Sequence, residues 1–183
     1  MTISSNTRLI PLTQGKFAIV DEDDFGRLNR LNWHVHHDKR RDAFYAITNI
    51  NIGQSETRKF HNGRLYNPRK KRASLKMHRL VLNAEPGTLI DHKDGDGLNN
   101  CKSNLRWATC GQNLQNAFKR ANCSSKYKGV RWNASANKWD ARIQIDNSPI
   151  YLGLFSDEIE AAKAYNDAAI RYFGEFARVN STP

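Results

Sequence analysis

The sequence predicts an α+β protein made of three successive stretches, and three patterns carry that reading. Short runs of alternating apolar and polar residues occupy the first stretch. A strand, a polar Gly-rich loop, a second strand and a helix follow in that order. Three strands and one amphipathic helix close the chain. The boundaries fall at 1–74 for a β-rich N-terminal segment, 75–118 for the strand–loop–strand–helix unit, 119–125 for a polar linker and 126–183 for the last unit. A length of 183 residues suits one or two small domains.

In the first stretch, Phe17-Ala18-Ile19-Val20 reads as a strand between Gly15 and an acidic cluster. Asn32 to His36 and Ala43 to Ile47 are two more strand runs. Phe25, Leu28 and Leu31 have helical spacing, which predicts a short helix over 23–31. The acids Asp21-Glu22-Asp23-Asp24 suit its N-terminus or a solvated turn. In the second stretch, Leu75 to Leu82 predicts a helix leading into Pro86-Gly87. Strands over 88–91 and 104–107 flank the loop Lys93 to Ser103, and a helix opens near Thr109. In the third, strands are expected over 127–131, 138–145 and 150–155, with a turn at Asn147-Ser148-Pro149. Ser156 is placed to cap a helix whose first turn holds Asp157, Glu158 and Glu160, and Gly174 ends it.

Charge narrows the function classes. The chain carries 29 Lys+Arg against 18 Asp+Glu, a net +11. From Arg58 to Arg79 there are nine basic residues and no acid, including Arg69, Lys70, Lys71, Arg72 and Lys76. A phosphate backbone rewards such a tract, because each neutralised phosphate releases condensed counterions. No apolar run approaches the ~20 residues of a membrane span, and the first residues lack a secretory layout. A soluble intracellular protein with a polyanionic partner and no membrane is therefore expected. Cys101, Cys110 and Cys123 are odd in number and contain no Cys-x-x-Cys pair, so small buried thiols are expected rather than a zinc knuckle. His34, His36 and His37 read as a polar strand face.

The segment from Leu89 to Asn100, followed by Asn104 and Asn113, holds the candidate chemistry. Phosphodiester hydrolysis needs a base to take a proton from water and a hard cation to stabilise phosphate and leaving oxygen. Asp91 and His92 at a strand end supply an oxygen ligand and an imidazole on opposite faces. Asn104 can bond a backbone carbonyl near His92 and stiffen the loop. Asn113 adds a neutral oxygen from the following helix. One carboxylate and one amide oxygen suit Mg²⁺, or a similar ion such as Mn²⁺, which keeps several waters. The acids 91, 94 and 96 fail as a calcium loop because position 102 is Lys.

The run Met77-His78-Arg79-Leu80, Ile90-Asp91-His92-Lys93-Asp94-Gly95-Asp96, Asn99-Asn100, Asn104-Leu105-Arg106-Trp107-Ala108-Thr109 and Gln112-Asn113 resembles the HNH endonucleases of the phage and intron homing type. The resemblance implies a ββα-metal (His-Me finger) core. It also implies His92 as general base, Asn104 as the middle Asn and Asp91 as a metal ligand. Asn113 stands at the last position in place of His.

Tyr127-Lys128-Gly129-Val130-Arg131-Trp132, Lys138 to Ile143, Tyr151 to Phe155, Ala161 to Tyr165 and Gly174 to Asn180 resemble the ethylene-response-factor (APETALA-type) DNA-binding domain. That implies a three-stranded antiparallel sheet on one helix, the sheet entering the major groove. Lys128, Arg131, Arg142, Gln144 and Tyr151 are then expected on the DNA face, with Trp132 and Lys138 flanking. Val130, Ile143 and Leu152 would pack under the helix. Arg142 and Pro149 depart from the plant pattern, so its target sequence does not transfer.

Together these readings imply a divalent-metal DNA endonuclease with double-stranded DNA as partner and no small-molecule cofactor. The resemblance implies a mobile-element role, in the cytoplasm of a bacterial or phage-infected cell and associated with its nucleoid. A monomer is the expected state. Two alternatives stay open at this level: a non-catalytic DNA-binding regulator and an RNA-binding accessory protein.

Overall fold

The computed structural model describes residues 6–39, 41–54, 59–61, 64–66, 70–119 and 123–183. It is a mixed α+β protein with several small sheets and few helices. Two compact units form, one from residues 1–87 with 96–106 and the other from 88–95 with 107–183. The strand–loop–strand–helix stretch contributes residues to both.

The first unit begins with an antiparallel hairpin of Thr7–Pro11 (β1) and Phe17–Asp21 (β2). The acidic cluster then starts the helix Glu22–Leu28 (α1), with Glu22, Asp23 and Asp24 in its first turn, as its dipole favours. Strand His34–Asp38 (β3) pairs with the long Ala43–Gln54 (β4). Short strands Lys59–His61 (β5) and Arg64–Tyr66 (β6) pair together. Lys70–Lys76 (β7) completes the β3–β4–β7 sheet and runs into the helix Met77–Val81 (α2). The helix expected over 75–82 is therefore shorter. Leu75 and Lys76 are strand residues because they pair with Thr48 and Ile47 of β4, and this pairing overrides their local preference. Ile10, Ala18, Val20, Leu28, Met77 and Val81 are buried among this unit's apolar residues.

The hairpin also grips the loop 96–106. Ile19 N–H donates to Leu98 O at 2.9 Å, and Asn100 N–H donates to Ile19 O at 2.7 Å. Lys102 donates its backbone N–H to Asp21 at 2.7 Å and pairs through Nζ with buried Asp24 at 3.0 Å. Burial pushes the Asp24 carboxyl up, but hydrogen bonds from Arg27 and Lys102 and their charges outweigh it and hold it below the ordinary value. The acidic cluster is thus a fastening for the loop as well as a helix start.

The second unit holds Leu89–His92 (β8) and the helix Cys110–Gln115 (α3), which packs on it. Leu105–Ala108 (β9) forms a two-stranded sheet with β8. Thr109 and Gln112 make a capping box at the start of α3, Thr109 N–H to Gln112 Oε1 at 2.8 Å and Gln112 N–H to Thr109 Oγ1 at 3.2 Å. Val130–Asn133 (β10), Lys138–Ile145 (β11) and Ser148–Phe155 (β12) form an antiparallel sheet in that order, under the helix Glu158–Phe173 (α4). Val130, Ala141, Ile143, Ala161, Ala162, Tyr165 and Ala169 make the core between them, and Leu152 packs against it. The alanines let α4 approach the strands closely.

Details differ from the sequence reading. Asp157, not Ser156, caps α4, accepting from Ile159 and Glu160 N–H at 2.8 and 3.0 Å. The β11–β12 turn centres on Asp146 and Asn147, both at positive φ, so Ser148 and Pro149 belong to the strand. Tyr127 to Gly129 precede β10 rather than open it. Cys101 is buried, but Cys110 and Cys123 are exposed. His37 stacks on Phe44 and bonds Asp42, in keeping with a polar strand face.

Gly129 sits at φ +77°, and a Cβ there would run into the Tyr165 ring and the Arg142 carbonyl. Its own carbonyl accepts from Arg142 N–H at 2.8 Å. Gly129→Ala is expected to lower the denaturation free energy by about 2–5 kcal/mol, from backbone strain plus overpacking, read as a lower urea midpoint. Asp140 is completely buried between Arg131 and Arg142. Burial raises its carboxyl, but the hydrogen bonds and charges of Arg142 and Arg131 prevail and hold it below the usual range. A carboxyl lowered in the folded state stabilises above its unfolded pKa, and the gain disappears as pH falls through the folded value. Asp140→Asn is therefore expected to cost about 1.5–3 kcal/mol at pH 7. Thermal melts of the two proteins are expected to converge as the pH drops below ~4.

Candidate active site and the basic sheet

The residue pattern of β8 is apolar until its end, where Asp91 and His92 are both buried, 5% and 6% exposed. Burying a carboxylate requires hydrogen-bonded compensation. Asn116, the C-cap of α3, provides it. Its Nδ2 donates to Asp91 Oδ1 and Oδ2 at 3.1 and 2.9 Å, and also lies 2.8 Å from His92 O and 3.3 Å from Lys93 O. Four oxygens around one amide group require its nitrogen end, so two N–H bonds are shared among them.

Asn113 is half-buried one helical turn before Asn116 and so on the same side of α3. The structure brings Asp91, His92 and the Asn113-bearing helix into one compact unit. Asn104 falls in the other unit, nearly buried, and its amide donates to Asn99 O at 2.9 Å. That bond tightens the loop 96–106, the stiffening the sequence assigned to it. The His92 Nε2 atom is buried, and no hydrogen-bond partner for that atom is present among the described residues. Among the described residues no cluster of three His, Cys, Asp or Glu forms. Asp91 offers a carboxylate, a hard oxygen ligand of the kind that suits Mg²⁺ or Mn²⁺.

Sequence reasoning missed Asn116. Its signal was the spacing of three from Asn113 on a helix with a polar inner side. It also missed Arg178, whose Nε donates to Asn116 O at 3.0 Å and whose Nη2 donates to Lys93 O at 3.2 Å. Its guanidinium lies 4.2 Å from the centre of the Phe118 ring. Gly95, at φ +83°, leaves the space that Phe118 and Arg178 fill.

On the sheet, alternation and register put Arg131, Lys138, Arg142 and Gln144 on the face away from α4, all exposed. Tyr151 lies opposite Arg142, whose guanidinium is 5.8 Å from its ring centre. Asp140 accepts from Arg131 Nε and Nη2 at 3.1 and 3.0 Å and from Arg142 Nε at 3.0 Å. Both guanidiniums are thereby held in fixed directions while remaining about half exposed. One residue expected to flank the DNA face and one expected on it lie elsewhere. Trp132 alternates to the α4 side and meets Trp139 edge-on, centroids 5.0 Å apart. Lys128 precedes the strand and turns inward, its Nζ donating to the carbonyls of Leu114, Gln115 and Ala117 at 3.3, 2.6 and 2.7 Å. Burial, and then the charge of Arg178, push its ammonium down to about 8.

Of the basic tract, Arg72 and Lys76 are exposed on β7, and Lys76 Nζ lies 4.8 Å over the Tyr45 ring. Lys70 and Lys71 are β7 backbone positions. Arg69 lies outside the described residues. No helix among the described residues is long and apolar enough to cross a membrane.

No protein-family model matches the chain. It is 45% identical over 62 residues to APETALA2-like protein 2 of Oryza sativa subsp. indica, a match covering 33% of the chain and 14% of that protein. It is 44% identical over 59 residues to the AP2-like ethylene-responsive transcription factor PLT2 of Arabidopsis thaliana, covering 31% of the chain and 10% of the plant protein. The chain thus spans only a small part of these plant relatives. A different relative extends along most of it: a protein of Acanthamoeba polyphaga mimivirus named as an uncharacterized HNH endonuclease, 40% identical over 169 residues, 91% of this chain and 76% of the viral one. With that coverage, and with Asp91 and His92 buried together at the end of β8 against α3, the chain belongs to the HNH endonuclease family.

Proposed function

We propose that the protein is a divalent-metal-dependent DNA endonuclease whose cutting site is chosen by the basic sheet β10–β12. The observation that carries the catalytic half is the grip of Asn116 on the Asp91 carboxylate and the His92 carbonyl. It holds the Asp91 carboxylate and the His92 backbone at successive, buried positions. His92 serves as general base and takes a proton from the attacking water. Asp91 and Asn113 hold the cation, Mg²⁺ or Mn²⁺. When bound, the ion supplies charge stabilisation on the scissile phosphate and the leaving 3′ oxygen. Asn104 keeps the loop 96–106 in shape.

Arg131 and Arg142, pre-aimed by Asp140, are the residues for base edges, since Arg is bidentate to guanine. Lys138, Gln144 and Tyr151 suit phosphate, sugar and flanking contacts. Arg72 and Lys76, with the rest of the basic tract, add sequence-independent hold on the duplex. A cutter joined to a reader suits a mobile element, which must open a chosen locus in the DNA of its host cell. One catalytic set per chain acts on one strand at a time, in keeping with a nicking monomer.

The test is incubation of the protein with a random DNA library in Mg²⁺, with sequencing of the ends produced. Recurrent cleavage sites are expected for the wild type, and a loss of about 10²–10⁴-fold in rate is expected for His92→Ala with DNA affinity retained. Binding with no cutting in any divalent ion would instead describe a DNA-binding regulator, and preference for RNA in competition would describe an RNA-binding accessory protein. Arg131→Ala or Arg142→Ala is expected to weaken the preferred site by about 1–3 kcal/mol in a binding titration, and to relax its sequence preference.

A further inference from the structure

We infer that Arg178, in the tail of the DNA-reading module, is a positioning residue for the nuclease: it sets the catalytic turn 91–93 through Asn116. The inference rests on the catalytic reading above and extends it, making the reader a part of the cutting machinery as well as its address.

The path is short and made of hydrogen bonds. Arg178 bonds the Asn116 carbonyl and the Lys93 carbonyl, one on the C-terminus of α3 and one on the turn after His92. Asn116 bonds Asp91, His92 and Lys93 through its side chain. Arg178 and Asn116 therefore hold the same turn from two sides. The tail that carries Arg178 is itself pinned to the reading module. Asn180 exchanges hydrogen bonds with the Lys128 backbone at 2.6 and 3.0 Å and with Asn166 of α4 at 2.7 and 2.9 Å. Lys128 closes the ring by donating to the carbonyls of Leu114 and Gln115, the last two of α3, which complements the negative end of a helix. A cation at Arg178 that bonds two carbonyls is a fork no shorter side chain reproduces. Small misplacement of a catalytic group costs about 10²-fold in rate, so a fixture of this kind acts on turnover and not on affinity.

The experiment uses the full chain and a DNA site found in the library screen. Arg178→Ala is expected to leave the DNA Kd within about two-fold and to lower the single-turnover rate at saturating DNA by about 10- to 100-fold. Arg178→Lys, which keeps a charged donor, is expected to recover part of that loss. If both side chains act through one turn, Arg178→Ala combined with Asn116→Ala cuts no more slowly than Asn116→Ala alone. Amide hydrogen exchange on the metal-free, DNA-free protein is a second readout. Arg178→Ala is expected to speed exchange in 91–95 and 112–117 while β10–β12 keep wild-type protection, which also certifies folding. Should Arg178→Ala fail that check, Lys128→Met is used in its place, with the same exchange pattern expected over 112–117. Wild-type cleavage by Arg178→Ala, rate losses that simply multiply in the double variant, or unchanged exchange in 91–95 would each overturn the inference. Absence of cleavage by the wild-type protein would instead remove the catalytic reading, and the exchange arm would still decide whether Arg178 holds the turn.

Discussion

The amide of Asn116 is the contact on which the candidate site depends. A buried carboxylate next to a buried imidazole is an expensive arrangement, and it persists only where hydrogen bonds replace the lost water. Asn116 supplies those bonds to Asp91 and at the same time holds the carbonyls of His92 and Lys93. The capping box at Thr109 and Gln112 fixes where α3 begins, and Lys128 and Arg178 fix where it ends. A short helix, marginal by itself, is thereby held at both termini.

The same logic of buried acid and basic partners recurs twice elsewhere. Asp24 fastens Lys102 of the loop 96–106 and Arg27 of its own helix. Asp140 fastens Arg131 and Arg142 on the open face of the sheet. In each case one carboxylate organises two cations that would otherwise sample many rotamers. On the sheet this leaves two guanidiniums with defined directions at half exposure, a preorganisation that lowers the ordering cost of binding.

Much of this was legible in the sequence where one period dominated. β11 was legible to its observed ends because Lys138 to Ile145 alternates cleanly, and α4 as an element, though not its cap, because its small and apolar residues repeat on one side. Asp91, His92 and the helix opening near Thr109 were legible from the order of strand, loop, strand and helix. Features set by distant partners were not. Leu75 and Lys76 look helical until β4 pairs with them. Lys128 looks like a DNA contact by position, yet the open end of α3 claims it. Trp132 departs from its expected place because alternation from Val130 puts it beside Trp139. Asn116 and Arg178, 62 positions apart, meet only in the folded unit.

The most direct test of the central claim is anomalous diffraction from crystals of the protein bound to a cleavable DNA site and soaked in Mn²⁺. The account predicts one manganese in bonding range of Asp91 and Asn113 and of a phosphate oxygen, with His92 facing the same phosphate and Asn116 still holding Asp91. Manganese bound elsewhere, or a scissile phosphate remote from His92, would contradict it.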